Sequence, residues 1–295
     1  MPRLLFVFLL PLCVVLTTGC GNPTPQREVD RSTSRDLTPE NSFTDGIEGP
    51  ATDAAGNVYA VNYQAQGMIG RVTPEGEAEH FVRLPEGSIG NGIRFSQSGD
   101  RFFVADYTGH NVLMVDVESR QVASYAHGPD ANQPNDLAMG PDGSLYASDP
   151  NWDDNTGQLW SIKPGKFTLL ESGMGTTNGI EVSPDGETLY VGESVQQRVL
   201  AYDIQLDGTL ANKRVFHTFP DFGLDGMRCT PDGRLFVTRY GKGVVAVLSP
   251  GGELLTELPT QGKNTTNITF SPDHSLAYVT VADRGCIEVV DVPRS

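Results

Sequence analysis

The sequence has few of the residues on which several large function classes depend. Its 295 residues include 21 Lys and Arg against 37 Asp and Glu, a net charge of −16, so it lacks the clustered positive charge that binds nucleic acid. Its five His and four Cys form no CxxC pair and no Cys/His cluster, which argues against a structural zinc site. No window has a sustained helical period. Turn-forming residues, 33 Gly and 20 Pro, are abundant instead and favour a folded, turn-rich β protein.

The first twenty residues are typical of an export signal. Arg3 precedes an apolar run over residues 4–16, which is too short to cross a membrane comfortably, and small residues then lead into Cys20. A Cys in this position resembles the lipobox of bacterial lipoproteins. The resemblance implies a signal peptide over residues 1–19, cleavage before Cys20 and lipidation of its thiol. The alternative is an ordinary secretory signal with an incidental Cys.

The residues after the signal predict how the domain is held in the envelope. Gly21 rather than Asp follows Cys20, which by the same resemblance implies the periplasmic face of the outer membrane, with the lipid as the only membrane contact. Residues 20–42 have no apolar period and are interpreted as a tether, so the domain is expected over residues 43–295. The domain retains Cys229 and Cys286, for which buried free thiols and a disulfide are both open.

A repeat of about 43 residues dominates the chain after residue 43. The turns Gly140-Pro141-Asp142-Gly143, Ser183-Pro184-Asp185-Gly186 and Thr230-Pro231-Asp232-Gly233 lie between strand-like runs, and looser copies end at positions 56, 99 and 274. The six turns end 41 to 47 residues apart, and each copy holds several short runs of period two. Four strands in roughly 40–45 residues are typical of one propeller blade. The sequence therefore predicts an all-β, six-bladed β-propeller with a central channel.

The ends of the chain are expected to close this ring together. The last copy reaches only a third strand, over residues 286–290, before the chain stops. A strand from the segment 37–43 would complete the sixth blade, so that no sheet edge is left unpaired.

One position in each repeat carries a side chain with an oxygen atom. Counting back eight residues from each turn end gives the set called here the channel ring: Glu48, Asn91, Asn135, Asn178, Asp225 and Thr266. Because first strands line the channel of a propeller, equal phase predicts that these side chains converge. Carboxylate and amide oxygens suit calcium, magnesium or manganese, and no His falls in the ring. The alternative is that Asn-Gly and Asp-Gly only form turns before each inner strand.

Four of these motifs resemble, in order and spacing, those of the gluconolactonase/regucalcin-like family, also called senescence marker protein/gluconolactonase. They are Ile47-Glu48-Gly49-Pro50, Gln133-Pro134-Asn135-Asp136, Thr177-Asn178-Gly179-Ile180 and Leu224-Asp225-Gly226-Met227. The resemblance covers about residues 43–292 and implies a six-bladed propeller that hydrolyses sugar lactones with one divalent cation in its channel. Calcium is the first expectation, with magnesium, manganese, iron or zinc as alternatives.

The resemblance also implies roles for individual residues. It assigns Glu48, Asn178 and Asp225 to the metal, with Asp225 also as the catalytic base. Asn135 is implied to contact substrate or metal-bound water, Asn91 is placed with it as substrate-binding, and Asp149 of Ser148-Asp149-Pro150 is a weaker substrate-binding candidate.

Two departures bear on the substrate rather than on the metal ligands. Gln133 replaces an Arg that commonly precedes Pro-Asn-Asp, and Thr52 stands where an aromatic residue often follows Glu-Gly-Pro. Two other functions stay open: a calcium-dependent hydrolase of phosphorus esters, whose propellers carry similar motifs, and a non-enzymatic envelope propeller that binds a protein or glycan.

Overall fold

The computed structural model describes residues 34–294, which form six four-stranded antiparallel sheets. Each sheet is one blade, so the predicted six-bladed propeller is confirmed. The predicted signal peptide, the lipidated Cys20 and the tether up to residue 33 lie outside the described residues. Within that described part, no helix is long and apolar enough to span a membrane.

Consecutive strands of the chain pair within each blade, from the channel outward. Strand β1 (Arg35–Asp36) comes first in the chain but belongs to the last blade. Blades 1 and 2 consist of β2 (Phe43–Thr52), β3 (Val58–Tyr63), β4 (Met68–Val72) and β5 (Ala78–Arg83), then β6 (Gly90–Phe95), β7 (Arg101–Asp106), β8 (Asn111–Asp116) and β9 (Val122–His127). Blades 3 and 4 consist of β10 (Leu137–Met139), β11 (Leu145–Asn151), β12 (Thr156–Lys163) and β13 (Lys166–Met174), then β14 (Thr177–Val182), β15 (Thr188–Glu193), β16 (Arg198–Ile204) and β17 (Leu210–Thr218). Blades 5 and 6 consist of β18 (Met227–Cys229), β19 (Leu235–Arg239), β20 (Val244–Leu248) and β21 (Leu254–Pro259), then β22 (Thr265–Phe270), β23 (Leu276–Val281), β24 (Cys286–Asp291) and β1.

The repeated turns join the first and second strands of their blades. Gly143, at the end of one such turn, has φ of 78° and lies between β10 and β11. Glycine adopts this left-handed conformation without steric cost, which explains the recurrence of Pro-Asp-Gly. The sixth copy holds the same conformation with His274 at φ of 56°.

The ring closes where the two ends of the domain meet. Strand β1 pairs antiparallel with β24, with Arg35 opposite Val289 and Asp36 opposite Glu288. The prediction of closure by an N-terminal strand is right, but its position is wrong. The strand precedes segment 37–43 and lies inside the predicted tether, because residues 37–42 are needed to cross from blade 6 to the start of β2. A strand of two residues has no period that the sequence could reveal.

Apolar side chains fill the spaces between neighbouring blades. Between blades 1 and 2, for example, the ring of Tyr59 on β3 lies 5.3 Å from that of Phe95 on β6, nearly edge to face. Such edge-to-face packing holds each sheet against the next. Cys229 and Cys286 lie on strands of different blades and are free thiols, which excludes a disulfide between them.

Candidate metal centre and active-site cavity

The whole channel ring lines one cavity of about 470 Å³. Most of the six ring residues lie at or just before the start of an inner strand, so the ring surrounds one end of the channel. Backbone hydrogen bonds between blades fix their common height. The Gly92 N–H donates to the Asn135 carbonyl at 2.8 Å, and the Gly226 N–H donates to the Thr266 carbonyl at 2.7 Å.

The glycines that follow ring residues permit the inner strands to approach one another. A Cβ on Gly226 would lie 2.0 Å from Asn267 Oδ1, and one on Gly179 would lie 2.2 Å from the Asp225 carbonyl oxygen. Neither glycine has a positive φ. At these two positions the motif therefore serves close packing around the channel rather than a turn, which was the alternative interpretation.

Two carboxylates of the ring lie in direct contact. Burial raises the pKa of Glu48 to about 7, although the Gly49 N–H, 2.8 Å from Oε2, opposes that shift. Burial and repulsion from Glu48 raise the pKa of Asp225 well above its ordinary value, while the Asn178 amide opposes the shift. The cavity is lined by no Lys, Arg or His among the described residues. The carboxylates of Glu48 and Asp225 therefore have no positively charged side chain beside them in the cavity lining.

The donor set fits a hard divalent cation. Glu48, Asn178 and Asp225 offer two carboxylates and one amide oxygen at one end of the channel, and such oxygens are the preferred ligands of calcium, magnesium and manganese. Two carboxylates in contact would also balance the charge of such an ion.

The other ring residues have different surroundings. Asn135 is buried, and its carbonyl accepts a hydrogen bond from Asn91 Nδ2 at 3.1 Å. Both side chains line the cavity beside the three candidate ligands. The hydroxyl of Thr266 donates to the Ile47 carbonyl at 2.9 Å, so it ties β22 to β2.

The structure does not place Asp149 in the cavity. Its side chain is fully buried, and its carboxylate accepts hydrogen bonds from the N–H groups of Asn132 and Gln133 and, at 2.8 Å, from Trp160 Nε1. These donors satisfy the carboxylate. Asp149 therefore holds the turn that leads to Asn135. Its contact with substrate stays a prediction, which these hydrogen bonds do not support.

A second layer of charged residues lies deeper in the channel and was missed from sequence. Three members come three positions after ring residues and a fourth comes one position after; the set, called here the arginine layer, is Arg94, Glu181, Arg228 and Asp136. Arg94 lies 2.9 Å from Glu181, and Arg228 lies 3.5 Å from Glu181 and 4.0 Å from Asp136. The same repeat register that gives the ring contains this signal.

Aromatic side chains form part of the cavity mouth. Tyr107, Trp152 and Tyr240 line it, and the last two are 39% and 42% exposed, so their faces are open to a ligand. Burial raises the pKa of Tyr107, and the side chains of Gln133 and Trp152, which face its hydroxyl, partly offset that effect. The Gln133 Oε1 atom is buried without a protein partner.

Another acidic group lies at the ring closure, in blade 6. Asp36, Cys286 and Glu288 place ligand-type atoms within 4.8 Å of one another. Arg284 lies 2.7 Å from both carboxylates, so a protein cation already pairs with them. This group belongs to the closure of the propeller.

Comparison with known proteins identifies the family. A gluconolactonase from Zymomonas mobilis is 27% identical over 244 residues, covering 70% of this chain and 68% of that protein. A pentonolactonase from Haloferax volcanii is 27% identical over 230 residues, covering 76% and 77%.

Solved structures share the fold. Regucalcin from Agrobacterium tumefaciens, described as a calcium-binding protein, aligns with a TM-score of 0.76 at 22% identity over 88% of this chain and 93% of its own. A gluconolactonase from Xanthomonas campestris aligns with a TM-score of 0.75 at 22% identity, covering 88% and 90%. The description "SMP-30/Gluconolactonase/LRE-like region" matches residues 48–283, most of the propeller. The chain therefore belongs to the SMP-30/gluconolactonase/LRE-like family.

Proposed function

We propose that this protein is a lactonase that hydrolyses a sugar lactone to its hydroxy acid with the help of one divalent cation. The observation that carries the proposal is the contact between the buried carboxylates of Glu48 and Asp225 in a cavity without a lining Lys, Arg or His. The names of the gluconolactonase and pentonolactonase relatives support the same reaction class.

Glu48, Asn178 and Asp225 would hold the cation, with calcium as the first expectation. The chemistry that such a cation supplies when bound is polarisation of a carbonyl and stabilisation of developing negative charge. The all-oxygen donor set favours calcium, magnesium or manganese over iron or zinc.

The remaining steps belong to the protein. Asp225 accepts a proton from the attacking water, for which a carboxyl with a raised pKa is better suited than an ordinary one. Water adds to the carbonyl carbon, the ring C–O bond breaks, and the proton passes to the released ring oxygen. Asn135 and Asn91 orient the lactone, and the exposed faces of Trp152 and Tyr240 contact its ring.

The charge of the cavity favours an uncharged substrate and an anionic product. Asp45, Glu48 and Asp225 line it without a matching protein cation. A neutral lactone enters without repulsion, whereas the acid that forms carries a negative charge and is repelled by these groups.

The test is hydrolysis of a panel of aldonolactones, corrected for the uncatalysed rate, with and without chelator. Wild type should lose activity in chelator and recover it with calcium, and Asp225→Ala should be inactive under both conditions. Asp45→Asn is the matched control, because it removes one cavity carboxylate outside the ring. Activity indifferent to chelator and to Asp225→Ala would refute the proposal, and a parallel phosphotriester panel would identify the alternative hydrolase.

We also propose that the protein is exported and anchored in the cell envelope through lipid on Cys20. The lipobox-like sequence before this residue supports the proposal. Metabolic labelling with palmitate should mark wild type but not Cys20→Ser; label in both, or in neither, would refute it.

A further inference from the structure

Every blade holds the loop before its inner strand with one polar side chain. These side chains, called here the loop clamps, lie at or near the end of the second strand: Asn62, Asp106, Asp149, Glu193, Arg239 and Asp283. Each clamp contacts residues two to four positions before the ring residue of its own blade. In blade 4, for example, Glu193 accepts from the Gly175 N–H at 2.8 Å. In blade 6, Asp283 accepts from Lys263 and Asn264 N–H groups at 3.0 and 2.9 Å.

The clamp of blade 5 is a guanidinium that donates to loop carbonyls, as the neutral Asn62 amide does in blade 1, whereas the four carboxylate clamps accept. Arg239 Nε donates to the Gly223 carbonyl at 3.2 Å, and Nη2 donates to the Phe222 carbonyl at 3.4 Å and also to the Asp221 carbonyl. One guanidinium therefore binds three consecutive carbonyls, and Asp225 follows two residues later. No other loop clamp is cationic.

The Arg239 guanidinium is itself fixed in place. Its side chain is fully buried and stacks on the Phe219 ring, with 3.7 Å between Cζ and the ring centroid. Asp221 lies 3.1 Å from Nη2, and Lys242 bridges Asp221 and Glu257 at 3.4 and 2.8 Å. A planar fork stacked on one ring and bonded through Nε and Nη2 suits the binding of several acceptors at once.

The loop that Arg239 holds is under backbone strain. Phe222 has φ of 47°, in the left-handed region that bulky residues avoid. Such a conformation persists only when the surroundings impose it. Here the bonds from Arg239 to the carbonyls on both sides of Phe222 supply that constraint.

We propose that Arg239 is a positioning residue for Asp225: by holding the carbonyls of residues 221–223, it sets the position from which the Asp225 carboxylate enters the cavity. This inference rests on the proposed function for the importance of Asp225. The two can be tested separately, because the bonds from Arg239 to the loop carbonyls involve no cation.

The experiment compares Arg239→Lys with Asp283→Ala, a clamp removed from the blade whose ring residue, Thr266, has no assigned ligand role. Hydrogen exchange of the backbone amides is measured by mass spectrometry in chelator, and calcium affinity by titration calorimetry. Lys keeps the charge but cannot reach three carbonyls, so exchange over residues 221–226 should accelerate. Calcium affinity should fall roughly tenfold, as when a support of a metal ligand is removed. The kcat should fall more than KM rises.

The control variant, Asp283→Ala, should differ from Arg239→Lys in its calcium affinity. Asp283→Ala should accelerate exchange over residues 262–266 but leave calcium affinity within about twofold of wild type. If Arg239→Lys does not fold, Asp221→Asn, at an exposed carboxylate, weakens the hold on the guanidinium and should give the same pattern at smaller size.

Unchanged exchange and affinity in the Arg239 and Asp221 variants would overturn the inference, as would an equal loss of affinity in Asp283→Ala. Failure of wild type to bind calcium, magnesium or manganese would instead refute the proposed metal site. The exchange measurement would then still decide whether Arg239 holds the loop.

Discussion

The channel contains two layers of buried charge with opposite surroundings. In the arginine layer, Glu181 lies 2.9 Å from Arg94 and 3.5 Å from Arg228. In the channel ring above it, Glu48 and Asp225 contact each other, and no Lys, Arg or His lines their cavity among the described residues. Removing a carboxylate from water is costly in both places, but only in the deeper layer do arginines contact the carboxylates; the ring carboxylates have neutral donors such as the Gly49 N–H and the Asn178 amide. The deeper layer therefore joins the inner strands, whereas the charge of the ring matches the cation proposed for it.

The largest expected effect comes from removing charge in the ring. Asp225→Asn should abolish calcium binding and lower lactone hydrolysis by roughly 10²–10⁴-fold, because it removes both a ligand and the general base. Titration calorimetry and a lactonase assay measure the two losses.

A matched change in the deeper layer sharpens this contrast. Glu181→Gln also neutralises one channel carboxylate, but this carboxylate already has two arginines. It should lower stability and leave calcium affinity near that of wild type. Equal loss of calcium binding in both variants would erase the distinction between the layers.

Removing an arginine from the deeper layer should have the largest effect on stability. Arg228 is buried, and Arg228→Met would leave Asp136 without an arginine and Glu181 with only Arg94. Breaking a buried ion pair in this way costs about 3–5 kcal/mol of unfolding free energy. Urea denaturation measures this loss; a change below about 1 kcal/mol would mean that the arginine layer contributes little to stability.

The ring should make the metal-free protein less stable at high pH. Glu48 has a pKa of about 7 in the folded protein against 4.5 ordinarily, so the folded state binds more protons between these values. The free energy of unfolding therefore falls as the pH rises from about 4.5 to about 7, and Asp225 acts in the same direction.

Thermal unfolding at pH 5 and pH 8, in chelator and in calcium, tests this dependence. Calcium should raise the Tm more at pH 8, where both carboxylates must otherwise ionise without a counter-ion. Glu48→Gln in chelator should lose part of the pH dependence. A calcium effect that is larger at pH 5 would contradict the raised pKa.

The fold was predictable because each of the six blades carries its own copy of the repeat. Turns such as that ending at Gly143 recur at one phase, and a six-copy pattern tolerates exceptions such as His274. The closing strand was misplaced because it has only two residues, Arg35 and Asp36, and no apolar alternation. Its partners, β24 and Arg284, lie at the other end of the domain sequence. Local pattern cannot indicate a partner about 250 residues away.

The ring was predictable for the same reason, but the contacts around it were not. The equal phase of the repeats is enough to predict that Glu48 and Asp225 reach one cavity. The burial of Asp149 beside Trp160 depends instead on a contact between the paired strands β11 and β12, which the repeat does not indicate. The arginine layer lies in the same register, but its members differ in sign and do not all share one offset from the ring, so no single repeated residue type marks it. Asn267, one position after Thr266, is the side chain that connects the two layers.

The smallest expected effect tests that connection. Asn267 Nδ2 donates to Asp136 Oδ2 at 3.3 Å, and the same amide lowers the pKa of Glu48 by hydrogen bonding to it. Asn267→Ala should therefore raise the pKa of Glu48 further and move the pH midpoint of calcium binding upward, by less than about one unit for a single hydrogen bond. Calorimetry between pH 5 and 8 measures the shift, with Asn264→Ala in the same segment as control. An unchanged midpoint would mean that the two layers act independently, and a downward shift would mean that Asn267 opposes the ionised form of Glu48.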